Sequence, residues 1–163
     1  MTSARPLIRR RGLAALAAPI MTIGLVSPSA AEPTFTPLLG SWAGGGTYKL
    51  QDGTTERLKC DAYYTGSGSQ LGIAVRCSSP NNKIEMRSKL SASGTSLSGS
   101  WEERTYNAGG DAKGTLSDTK LALAIAGGVT GSMTITYDQT KQNVAIATEG
   151  TALKSVTISL SRK

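Results

Sequence analysis

This 163-residue chain carries two cysteines, Cys60 and Cys77, and no histidine. Without imidazole there is no His-based triad, most zinc sites are ruled out, and the commonest general base is missing. Chemistry would fall to carboxylates or to a Ser/Lys nucleophile. Glu56 and Glu103 take the inward phase of alternating segments, and Glu102-Glu103 directly follows Trp101. A glycosidase needs two carboxyl groups about 5–10 Å apart across a sugar cleft. Both glutamates lie near segment ends, where an inward carboxylate reaches solvent at a rim or pairs with a base such as Arg162. The expectation is a protein that is not an enzyme, with no catalytic residue, metal site or cofactor.

The cysteines carry the other chemistry. A redox pair normally has CxxC spacing at a helix start, which this chain lacks. An even count in an exported protein favours a structural disulfide. If "TGSGSQ" is a hairpin turn centred between Gly68 and Ser69, facing residues are Tyr64 with Ile73, Ala62 with Val75, and Cys60 with Cys77. A bridge across directly opposed residues is therefore expected. The glycine-rich "YNAGGDAKG" (Tyr106 to Gly114) reads as a loop beside a barrel mouth. It is no phosphate loop, since neither a helix nor GK[ST] follows.

The elements holding these groups begin after residue 31. Arg5, Arg9, Arg10 and Arg11, the apolar "GLAALAAPIMTIGLV", and Ser29 and Ala31 before a cleavage point form the pattern of a signal peptide over 1–31. Its apolar run is short and Ala/Gly-rich for a membrane span, and its consecutive arginines leave both the general and the twin-arginine export routes open. A periplasmic or secreted protein without stable membrane insertion is expected. The whole chain has 18 basic and 11 acidic residues; four basic and no acidic residues precede Glu32, leaving 14 against 11, net +3. These charges are scattered, unlike the concentrated basic face of a nucleic-acid binder.

From Trp42 onward apolar residues recur at every second position: Leu58, Cys60, Ala62, Tyr64; Leu71, Ile73, Val75, Cys77; Leu121, Leu123, Ile125; Val156, Ile158, Leu160. Turn residues separate the runs, and no helical period interrupts them. The expected fold class is all-β: an antiparallel meander of about 8–10 short strands closing into a small barrel, because closure removes exposed edges. One domain over 41–163 would follow an extended leader, 32–40, whose Pro33 and Pro37 disfavour helix. An outer-membrane barrel needs aromatic girdles, and one Phe, two Trp and five Tyr supply none.

Gly40-Ser41-Trp42 on the first strand, with Arg162 continuing the inward series of the last, resembles the calycin pattern of lipocalins, fatty-acid-binding proteins and avidins. That resemblance implies a barrel closed by a contact between Arg162 and Trp42. "SGSW" recurs at Ser98 to Trp101. The chain-long pattern "LLGSWAGGGTYKLQDGTTERLKC", "LGIAVRC", "LSGSWEE", "NAGG" and "SVTISLSR" is similar to small exported proteins of alphaproteobacteria, which implies a β-rich periplasmic domain and assigns no catalytic residue.

Two functions follow as expectations. One is a binding module for a small apolar or amphipathic ligand, with Trp42, Tyr64, Met86, Trp101, Met133 and Tyr137 as lining candidates; the same residues would equally fill a dry core. The other is a protein-interaction module acting on a periplasmic protein. It resembles calycin-type proteinase inhibitors, whose N-terminal segment, here Glu32 to Leu39, enters the target cleft.

Overall fold

The computed structural model describes residues 32–163; the expected signal peptide lies outside them. Ten strands follow one another: β1 (Gly40–Leu50), β2 (Thr55–Ser67), β3 (Gln70–Ser78), β4 (Lys83–Ser93), β5 (Ser96–Glu103), β6 (Ala108–Ser117), β7 (Lys120–Gly127), β8 (Thr130–Tyr137), β9 (Lys141–Glu149) and β10 (Leu153–Arg162). Each pairs antiparallel with its chain neighbours, and β10 closes on β1. The all-β closed meander is thus the observed architecture.

Alternation places the core. On β2, Leu58, Cys60, Ala62 and Tyr64 are buried while Arg57, Lys59, Asp61 and Tyr63 are exposed. The two-residue turn Gly68-Ser69 fixes the register by local geometry. It sets Tyr64 opposite Ile73, Ala62 opposite Val75 and Cys60 opposite Cys77. The cysteines are joined in a disulfide with Cα atoms 4.1 Å apart, the close spacing of a non-hydrogen-bonded pair.

Two expectations are corrected. Tyr106–Gly114 is not one loop: the turn ends at Asn107, and β6 runs from Ala108. Its glycines serve close strand approach, since a Cβ on Gly110 or Gly114 would collide with the carbonyl oxygen of Ala126 or Ala122 on β7. Nor is the leader wholly extended. Thr36–Leu38 forms a single 3-10 turn with Pro37 in its first positions, where proline's fixed φ is compatible with the turn. Spacing of three puts Phe35 and Leu38 on one side of that turn, and both are completely buried.

The leader thereby seals the barrel end where β1 begins and β10 ends. Among the described residues, Trp42, Phe35, Leu38, Tyr64, Leu71 and Leu121 have almost no exposure, and all belong to this end. At the opposite end the inward side chains Ile84, Met86, Trp101, Ile125 and Ile146 are only partly buried. One end is shut; at the other, here called the mouth, the inward side chains stay partly exposed.

Candidate functional site

The shut end is held by polar contacts around an apolar plug. Trp42 Nε1 donates to the Leu38 carbonyl at 2.8 Å. Its ladder partner Arg162 places its guanidinium 4.2 Å from the indole centroid, within cation–π range. Arg162 also donates to the carbonyls of Gln139, Leu39 and Pro37, so one cation ties the last strand to the leader and to the β8–β9 turn. The ion pair with Glu103 considered from sequence does not form, because Arg162 and Glu103 stand at opposite ends of the barrel.

The six lining candidates divide between the two ends. Trp42, Tyr64 and Tyr137 belong to the shut end and are buried. Tyr64 donates to Gln142 Oε1 at 2.7 Å, and Tyr137 to the Ser117 carbonyl at 3.0 Å. Met86 and Trp101 face the mouth half-buried, with Met133 buried behind them. Ile125 and Ile146, absent from the sequence-based set, complete the apolar lining. Their inward phase was legible; that they reach the mouth depends on strand direction. The Trp101 indole crosses β6 at Gly110, its ladder partner, and donates to the Ala126 carbonyl on β7 at 3.3 Å.

The rim of the mouth is polar. Tyr106 donates through Oη to Asn82 Oδ1 at 2.8 Å, and Asn82 Nδ2 donates to Tyr48 Oη at 2.6 Å. Glu103 accepts the backbone N–H groups of Glu85 and Tyr106 at 2.8 and 2.7 Å. Asn81 donates to Glu56 Oε1 at 2.9 Å, and this bond is the main cause holding the Glu56 carboxyl below its ordinary range. Both inward glutamates therefore organise loops: Glu103 uses both its oxygens on backbone, and Glu56 fixes the β3–β4 turn. The Glu56 carboxyl is lowered, the opposite of what a general acid requires.

A groove of about 680 Å³ crosses the outer face of β2 to β6, flanked by the exposed Tyr63, Arg87, Lys89, Glu102 and Asp111 and reaching Trp101. Its two cations and two anions in open solvent give it no preference for an apolar guest.

Burial pushes the phenols of Tyr48, Tyr64 and Tyr137 up from an ordinary pKa near 10, with Glu56 adding at Tyr48 and Asp118 at Tyr137. A phenol raised on folding stabilises fully below the unfolded pKa, and that contribution is lost as pH rises through the folded value. Stability is expected to hold up to about pH 10 and to fall above it, these three phenols ionising only as the barrel unfolds. Absorbance at 295 nm followed beside circular dichroism checks this; five tyrosines ionising while the β signal stays intact would contradict it.

No protein-family model matches this chain, and no curated protein matches it in sequence. Solved structures share its fold. Rv2717c from M. tuberculosis superposes with a TM-score of 0.65 at 18% identity, covering 79% of this chain and 94% of that one. The S-type phycobiliprotein lyase CPES from Guillardia theta superposes with a TM-score of 0.53 at 15% identity, covering 79% of this chain and 89% of that one. At these identities the likeness shows the barrel fold.

Proposed function

We propose that this protein binds a small apolar or amphipathic molecule through the open end of its barrel, and that it acts by binding and not by catalysis. The observation carrying the reading is the asymmetry of the two ends. One is packed shut by Trp42, Phe35 and Leu38, while the other leaves Met86, Trp101, Ile125 and Ile146 inward-facing and half-exposed. An apolar lining under a polar rim is the usual build of a small-molecule site. The methionine adapts its shape to a guest, and the indole supplies a large apolar face. Against catalysis stand the absence of histidine from the chain and two inward glutamates occupied with loops. The buried disulfide and the signal-like N-terminus support action in the periplasm or outside the cell. The inhibitor-like alternative needs a free N-terminal segment, whereas Phe35 and Leu38 are packed into the chain's own barrel.

Replacing Trp101 by alanine tests the reading. With N-phenyl-1-naphthylamine as a fluorescent apolar probe, Trp101→Ala is expected to weaken binding about tenfold, the loss of one aromatic contact and its buried area. Thermal stability should fall less than on loss of the fully buried Trp42, because the Trp101 indole is partly exposed. Unchanged probe affinity in a folded Trp101→Ala protein would remove the mouth from consideration.

A further inference from the structure

Charges that are scattered along the sequence are gathered by the barrel. The outward faces of β2, β3 and β4 carry Arg57, Lys59, Arg76, Lys83, Arg87 and Lys89 against Asp61 and Glu85. Six bases against two acids exceed the balance of residues 32–163 as a whole, 14 against 11; the remainder is slightly acidic, eight against nine. Both acids of this face are already engaged. Lys163 holds Asp61 at 2.6 Å, and Arg76, Arg87 and Arg104 share one oxygen of Glu85 at 3.3, 3.4 and 3.8 Å. Three guanidinium groups on one carboxylate oxygen keep most of their donors unused. The face therefore presents a surplus of positive charge to a partner.

The outer groove crosses this face between two ladder rows. Tyr63, Ala74, Arg87 and Glu102 form one bank; Thr65, Gly72, Lys89, Ser100 and Asp111 form the other. From β2 to β6 it spans four strand spacings, about 19 Å, which is room for a chain of rings and more than a single anion needs. Gly72 and Ala74 keep its β3 section low, beside Tyr63, which is 54% exposed. Arg87 and Lys89 then stand on opposite banks, about 7 Å apart along β4, and bracket the groove with positive charge. Lys89, Glu102 and Asp111 take part in no ion pair among the described residues. We propose that this groove binds a stretch of acidic polysaccharide. One sugar ring lays its apolar face on Tyr63, a ring carboxylate lies between Arg87 and Lys89, and hydroxyls of the following ring donate to Glu102 and Asp111. A DNA single strand also suits a basic groove with an aromatic side chain, yet its sugar–phosphate chain has no hydroxyl to donate to those two acids. The site lies on the outer wall and does not depend on the mouth reading.

The test titrates the oxidised protein at low salt with short oligomers of alginate and of polygalacturonate, following the backbone amide signals of Gly72 and Ala74 by NMR. Both signals are expected to shift saturably with at least one of the two, and neither with the uncharged oligomers of dextran. The double variant Arg87→Ala/Lys89→Ala should weaken binding about tenfold. Tyr63→Ala should weaken it about fivefold and leave its salt dependence unchanged, as loss of a stacking face requires. Lys120→Ala/Lys141→Ala removes the same charge from β7 and β9 and should leave the affinity unchanged; all five side chains are exposed, so the fold is retained. Absence of a saturable shift with either uronate overturns the proposal, as does an equal loss in the two double variants, which would mean attraction by net charge alone. Tighter binding of oligodeoxythymidylate would assign the groove to nucleic acid instead. None of these results alters the binding of N-phenyl-1-naphthylamine expected at the mouth.

Discussion

Trp42→Ala is expected to lower the stability of the folded chain by about 3–5 kcal/mol, the range for removing a large buried aromatic. In a domain of this size that amounts to a drop in Tm of roughly 10–20 °C. Three losses combine. The indole has no exposure, so its removal leaves a void in a packed plug. The Leu38 carbonyl loses its donor, and the Arg162 guanidinium loses the ring beneath it. These effects share partners and will not add independently. Trp101 supplies the control, for the same substitution there removes a half-exposed side chain with a long, exposed hydrogen bond. Thermal unfolding of both variants separates the two ends. Equal destabilisation would mean that the barrel has no shut end distinct from a mouth.

Removal of the disulfide has the next largest expected effect. The bridge closes a loop of 17 residues in sequence separation, which limits the unfolded ensemble and contributes about 3 kcal/mol in the chain-entropy picture. Both cysteines are buried in the core, so alanine is a cleaner replacement than serine, whose hydroxyl would enter the core without a partner. The double variant Cys60→Ala/Cys77→Ala should keep the β spectrum, because the Gly68-Ser69 turn and the flanking ladder still set the register. Its denaturant midpoint should fall by an amount corresponding to about 3 kcal/mol. A midpoint equal to that of the oxidised wild type would show that the bridge adds nothing to a register already fixed.

What was legible in the residues followed the range of the forces involved. The β2–β3 hairpin was readable in detail because a two-residue turn and a period of two determine every facing pair between them. Strand β6 was hidden because Gly109, Gly110 and Gly114 carry little strand propensity; their use is visible only once β7 lies against them and a side chain would strike its backbone. That omission matters beyond one strand. In an up-and-down meander each strand reverses direction, so β6 must be counted before the later residues can be assigned to an end. The placing of Met133 and Tyr137, which both follow β6, was therefore beyond the reach of periodicity, which marks inward from outward but not top from bottom. The leader's role was hidden for a related reason: Phe35 and Leu38 find their burial in the barrel's end, a surface that exists only after closure.

The most direct measurement of the central claim uses the fact that the chain has two tryptophans. Its ¹H–¹⁵N spectrum should contain two indole signals, Trp101 at the mouth and Trp42 in the plug. On titration with N-phenyl-1-naphthylamine, the Trp101 signal is expected to shift saturably and to shift more than that of Trp42. A saturable shift led by Trp42, or no saturable shift of Trp101 while the probe binds, would contradict entry of the ligand at the open end.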